Sequence, residues 1–200
     1  MKQKSRKTRI QRKTSETNIL LNLNVDGGGK SCIRSGIPFL DHMLTLFSKH
    51  GLFDITLKAT GDLDVDIHHT NEDIGIVFGQ AFAKALADKR GIQRYGFCSL
   101  PMDEALVRVS LDLSGRPSLA ITRAKGVRFA NPRDYSFHDA SEFMKAFSQH
   151  AGINMHIEIL AGQDSHHVIE AMFKAVSRAM DMATRIDPRV RGIPSTKGSL

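Results

Sequence analysis

The sequence predicts an α+β fold built from an internally duplicated unit, and three observations carry that prediction. Segments of alternating apolar and polar residues are interleaved with segments of helical spacing. The stretch at residues 41–50 recurs without a gap at 141–150, and a His-His-x-x-Glu motif stands in each half, at 68–72 and 166–170. Each repeat reads as strands, short helix, strand, long helix, so the expected architecture is two four-stranded sheets side by side with helices packed on one face.

The elements follow from local patterns. Thr17 to Asn24 alternates as a strand, and Asp26, Gly27, Gly28 and Gly29 supply a turn, which predicts an opening hairpin. Lys30 after those glycines makes no phosphate loop, because GxxxxGK[ST] is absent and the glycines join two strands. Pro38 to His50 carries helical apolar spacing at Phe39, Leu40, Met43, Leu44 and Phe47, with proline near the first helical position. A strand over Phe53 to Ala59 precedes a long helix over Thr70 to Asp88, closed by Lys89, Arg90 and Gly91. Ala105 to Leu113 and Ser118 to Thr122 read as strands, Ser141 to His150 as a short helix, Asn154 to Leu160 as a strand and Ser165 to Thr184 as a long helix. Laying 41–50 over 141–150 matches Phe47 with Phe147, Ser48 with Ser148 and His50 with His150. The predicted organisation is a basic tail over 1–8, then one domain over 9–200 made of repeats at about 9–92 and 93–190 with a C-terminal substrate-binding tail.

Composition narrows the class. Of 200 residues, 41% are hydrophobic and 24% charged, the balance of a globular domain with a sizeable core. No run approaches the ~18 apolar residues of a membrane span, and the basic start is not followed by the apolar stretch of a secretory signal, so a cytoplasmic protein without a membrane partner is expected. Cys32 and Cys98 lack CxxC spacing, which predicts buried free thiols. The net charge of +7 owes much to Lys2, Lys4, Arg6, Lys7, Arg9, Arg12 and Lys13, read as a solvated strand or tail.

The chemistry sits in the repeat. His68 and Glu72 are four apart, as are His166 and Glu170, which stacks an imidazole and a carboxylate on one face at a helix start. His69 and His167 project about 100° around the helix and are free to serve another ion. The repeat suggests one site from His42, His68, Glu72 and His167 and its mate from Glu142, His166, Glu170 and His69. Nitrogen and carboxylate donors without sulfur suit Mn²⁺, with Zn²⁺ or Fe²⁺ as alternatives, and leave coordination places open for catalysis. Arg94, Arg116, Lys174, Ser195, Thr196 and Lys197 can together grip a phosphate. Asp103 and Glu104 are candidate partners of a metal-bound histidine, and Glu16 is a candidate acid–base.

These residues carry a family resemblance. The segments KTSETNILLNLNVDGGG, SGIPFLDHML, HHTNEDIGIVFG, PMDEAL, DLSGRP, HHVIEAMFKA and PSTKG, spread over nearly the whole chain, resemble imidazoleglycerol-phosphate dehydratase. The resemblance implies a hydro-lyase of L-histidine biosynthesis that dehydrates D-erythro-imidazole glycerol phosphate to imidazole-acetol phosphate through a metal-stabilised imidazolate and a diazafulvene-like intermediate. It implies two Mn²⁺ per active site, a duplicated unit like ribosomal S5 domain 2, and a 24-mer with active sites at subunit interfaces. His42, His68, His69, Glu72, His166, His167 and Glu170 match the family's metal ligands. Glu142 stands where plant and many bacterial members carry histidine. Arg94, Arg116, Lys174, Ser195 and Lys197 match substrate contacts, Glu16 matches a substrate-contacting glutamate from a neighbouring subunit, and Glu16, Glu170 and His69 are the candidates for proton transfer. No redox cofactor is implied.

Two rival readings exist: a metal-storing or nucleic-acid-binding protein, and a dinuclear phosphoester hydrolase. The first leaves the duplicated motif without a purpose and has a thin aromatic platform, with no Trp and two Tyr. The chain has no room for a fused histidinol-phosphatase domain, so a single activity is expected.

Overall fold

The computed structural model describes residues 5–130 and 134–200; Lys2 and Lys4 of the basic start lie outside the described residues. The first repeat holds β1 (Lys7–Lys13), β2 (Thr17–Asn24), β3 (Ser31–Arg34), α1 (Pro38–Gly51), β4 (Asp54–Gly61) and α2 (His68–Leu86). The second holds β5 (Tyr95–Met102), β6 (Ala105–Asp112), β7 (Ser118–Arg123), α3 (Phe137–Ala151), β8 (Asn154–Ala161) and α4 (Ser165–Thr184). The sheets have the same order, β1-β2-β4-β3 and β5-β6-β8-β7, and in each the third strand of the repeat pairs parallel to the fourth. The α+β class and the duplication are as the sequence predicts.

Several local expectations change. The opening hairpin is β1 with β2, closed at residues 14–16, because the basic start alternates too: Thr8, Ile10 and Arg12 are half-buried between exposed Lys7, Arg9, Gln11 and Lys13. The glycine segment instead leads to β3, which lies on the far side of β4. Cys32 is exposed and Cys98 only half-buried, since β3 and β5, which carry them, are both edge strands. Helix α3 starts four residues before the expected Ser141, at a capping box in which Ser136 Oγ accepts from the Asp139 backbone N–H and Asp139 accepts from that of Ser136. The serines matched by the repeat do the same work in both halves: Ser48 Oγ donates to the Phe53 carbonyl and Ser148 Oγ to the Ile153 carbonyl, each at 2.7 Å.

The sheets do not lie side by side. Helix α2 covers β1 and β2 while α1 covers β3; α4 covers β5 and β6 while α3 covers β7. Helix α1 packs on α4, and α2 on α3. A flat arrangement could bring together one pair of sheet edges only, so both junctions at once require the sheets to face each other across the helices. The seam between repeats is aromatic. Phe47 and Phe78 meet Phe147 with ring centroids 6.1 and 5.4 Å apart, and Phe78 meets Phe143 at 5.8 Å, all fully buried. Burying each such ring contributes roughly 2 kcal/mol or more.

Close approach of α2 to α3 depends on Gly79. A Cβ there would sit 2.7 Å from the Phe147 carbonyl oxygen and 2.8 Å from the Ala151 nitrogen, both backbone atoms that cannot rotate away. Alanine ordinarily favours a helix over glycine by about 1 kcal/mol, but here the clash wins. Gly79→Ala is expected to destabilise the fold by roughly 1–3 kcal/mol, read as a lower urea midpoint at unchanged m-value.

Candidate metal centre and anion pocket

Packing α1 on α4 sets His42 opposite the second His-His-x-x-Glu motif. Asp164 caps α4 by accepting from the His166 backbone N–H at 2.7 Å, which fixes the first turn. His166 Nε2 then lies 3.3 Å and His42 Nε2 3.5 Å from Glu170 Oε2, and one donor atom from each of the three residues lies within 4.8 Å of the others. This is the one such donor group among the described residues. Glu170 is 6% exposed. Its other oxygen, Oε1, accepts from Lys174 Nζ, one helical turn on. Burial alone would push the Glu170 carboxyl up, but Lys174, His166 and His42 outweigh it and hold the group below its ordinary value. One oxygen is thus neutralised by Lys174 while the other faces two imidazoles, a donor set that fits a divalent ion of intermediate hardness.

Within one chain the donors group differently from the expected pairing. His42 joins His166 and Glu170, not His68 and Glu72, because α1 packs on α4 rather than on α2. Its repeat mate Glu142 is on α3, the helix that packs on α2, where His68 and Glu72 reside. That second set is looser: His68 Nε2 and Glu72 Oε2 are 3.9 Å apart, and Glu142 Oε2 accepts from Lys145 Nζ at 3.1 Å.

The remaining histidine of each motif is held by a carboxylate. His69 Nδ1 is 2.9 Å from Asp62 Oδ2, with Glu16 Oε2 at 3.9 Å from the same nitrogen. His167 Nδ1 is 2.7 Å from Glu104 Oε2, with Asp103 3.5 Å from Nε2. Each contact assigns a proton to Nδ1, and on His167 the Nε2 side faces Asp103. The bond to Asp62 foremost, then the Glu16 charge, raises His69. Glu104 raises His167 in the same way, and is itself lowered to about 2 by the Asp164 backbone N–H above all, then by His167 and the Gln163 N–H. Glu104 stands where the sequence suggested a histidine partner. Asp62 was missed, although the acidic segment GDLDVD, ending two residues before His68, was its signal.

The hairpin tip that carries Glu16 is clamped to α2. Buried Asp73, next to Glu72, accepts from Thr17 Oγ1 at 2.5 Å and Arg12 Nε at 2.9 Å.

A second feature is a pocket of about 460 Å³ where the end of the chain crosses the Ser114–Arg116 loop, lined by Arg94, Arg116, Ser195 and Lys197 among others. Arg94 is bonded through Nε and Nη2 to Asp112, at 2.7 and 3.0 Å, and donates Nη1 to the Pro194 carbonyl at 2.8 Å, so it anchors the segment that delivers Ser195 and Lys197. Within one chain Lys174 is not among the residues lining this pocket.

The family model for imidazoleglycerol-phosphate dehydratase matches residues 35–180, a span that includes His42 and both His-His-x-x-Glu motifs. The chain belongs to the imidazoleglycerol-phosphate dehydratase family. Curated family relatives are 57% identical over 196 residues in Pelobacter propionicus, covering 98% of this chain and 100% of that one, and 55% identical over 196 residues in Thermoanaerobacter pseudethanolicus, with the same coverage. The solved dehydratase from Staphylococcus aureus superposes with a TM-score of 0.80 at 36% identity, covering 90% of this chain and 99% of that one. The Pyrococcus furiosus dehydratase, in complex with (S)-C348, gives 0.81 at 34%, covering 96% and 100%. Family membership makes the chain a hydro-lyase, EC 4.2.1.19, of histidine biosynthesis.

Because Glu104 favours the imidazolium, the tie to His167 is strongest below the ordinary imidazole value of 6.5 and fades as pH rises through the raised one. Glu104→Gln is expected to move the His167 titration downward, followed by NMR on metal-free protein.

Proposed function

We propose that the dehydration runs at a two-ion manganese centre whose ligands are His42, His68, His69, Glu72, Glu142, His166, His167 and Glu170, in a cytoplasmic 24-mer with active sites at subunit interfaces. The substrate loses a hydroxyl and a carbon-bound proton next to its imidazole ring, and no carbonyl acidifies that proton. What divalent ions supply at these donors is Lewis acidity toward the ring nitrogens. The chain does the rest. The observation that supports this reading most is the convergence of His42, His166 and Glu170 on one point, with Lys174 neutralising the outer Glu170 oxygen.

With Nδ1 of His69 and His167 held by Asp62 and Glu104, Nε2 is the nitrogen left to donate to an ion, which supports a ligand role for both. Glu142 keeps a carboxylate donor where the family often has histidine, and an oxygen donor remains compatible with manganese. Glu16, beside His69 at the hairpin tip, and Glu170 are the groups placed to accept and return protons. Arg94, Arg116, Ser195 and Lys197 receive the substrate phosphate, with Lys174 completing the set across the assembly.

Purified protein incubated with imidazole glycerol phosphate and Mn²⁺ is expected to give the ketone without free phosphate, and chelator-treated protein to be inert until manganese is restored. Release of phosphate would instead indicate a phosphoester hydrolase. The His68→Ala, His166→Ala double variant is expected to lose turnover while keeping the fold by circular dichroism; full activity would overturn the ligand assignment.

A further inference from the structure

The cap of α4 orders the backbone at His166, but not the plane of its ring, because the torsion that turns an imidazole is broad. His69 and His167 are held through Nδ1 by carboxylates, whereas among the described residues no hydrogen bond reaches Nδ1 of His166. Its side chain is 47% exposed, so the ring needs a neighbour. That neighbour comes from α1. Phe39 stands three residues before His42, close to one helical turn, and meets His166 edge to face, with ring centroids 5.0 Å apart and planes at 87°. Phe39 is itself backed by Tyr135, stacked on it at 5.4 Å and 24°. Tyr135 is fully buried and cannot swing away, since its hydroxyl donates to Asn71 Oδ1 at 2.9 Å while Asn71 Nδ2 donates to the Asp139 carbonyl at 2.8 Å.

The duplication supplies the comparison. At the repeat position of Phe39 stands Asp139, whose carboxylate caps α3. Among the described residues no ring from another element meets His68, whose one ring neighbour is His69. The pair without an aromatic wall is the looser one: His68 Nε2 is 3.9 Å from Glu72 Oε2, against 3.3 Å from His166 Nε2 to Glu170 Oε2. Lys174 accounts for the carboxylate side of that difference, because it holds Glu170 Oε1. The imidazole side is left to Phe39.

We propose that Phe39 is a positioning residue of the metal centre: it fixes the His166 ring with Nε2 toward Glu170 and His42, and so sets how tightly that group holds a divalent ion. This rests on the reading of His166 as a metal ligand. The test is Mn²⁺ binding to the chelator-stripped full chain, followed by the free-ion signal in electron paramagnetic resonance without turnover, in Phe39→Leu, Phe39→Met and Phe39→Tyr, with His166→Ala alongside. The two aliphatic variants keep an apolar side chain but lose the ring, and are expected to raise the Mn²⁺ dissociation constant about tenfold, the low end of what supporting contacts contribute to metal affinity. Phe39→Tyr, which keeps the ring, is expected to bind as the wild type does. A purely structural role would lower the melting temperature and leave Mn²⁺ affinity where it was. Wild-type affinity in either aliphatic variant that folds, while His166→Ala weakens binding, overturns the role of Phe39 and leaves the ligand reading intact; so does equal weakening in Phe39→Tyr, which would trace the effect to volume rather than to the ring. Undiminished binding in His166→Ala overturns the ligand reading and the proposal with it.

Discussion

The packing of each repeat's helices on those of the other is the contact from which the rest of the structure follows. Helix α1 meets α4 and α2 meets α3 across a seam of buried phenylalanines, and the two sheets are thereby held facing each other rather than edge to edge. Only that cross-repeat contact puts His42 within reach of His166 and Glu170, which are more than a hundred residues away along the chain. A change that separated the helices would cost the hydrophobic seam and the donor cluster together.

Duplication gives the molecule two sets of similar donors, and the differences between them are informative. The motif histidines at 69 and 167 are held alike, through Nδ1 by Asp62 and Glu104, although those carboxylates come from different loops. The donor clusters are not alike. Lys174 stands one turn beyond Glu170 and fixes its outer oxygen, whereas Glu142 turns to Lys145 and the first set stays open. A carboxylate at 142, the repeat mate of His42, thus gives that side a different charge and reach. The pocket at the end of the chain has its own hierarchy, in which Arg94 is spent on Asp112 and the Pro194 carbonyl and serves to place the tail, leaving Arg116 and Lys197 as its exposed cations.

Much of this could be read from the residues in order. The apolar spacing of residues 38–50 and 165–184 marked α1 and α4, the matched Ser48 and Ser148 marked the repeat, and the i, i+4 spacing of His166 and Glu170 put both on one helical face. The early start of α3 had a signal in Ser136 and Asp139, three apart, that went unread. The β1–β2 hairpin was obscured because its cations read as a tail, and β5 because Gly96 and Pro101 interrupt the strand pattern of YGFCSLPM.

What the sequence alone determined is therefore local: which residues form helices and strands, that the unit is doubled, and which side chains carry nitrogen and carboxylate donors, since helical and strand periods are set by the backbone over a few residues. What only the tertiary structure decided is partnership: His42 with Glu170 rather than Glu72, β3 beside β4 rather than β2, Asp62 against His69, and Arg94 against Asp112. Such pairings depend on the packing of apolar faces distant in sequence, and no period along the chain encodes which face meets which.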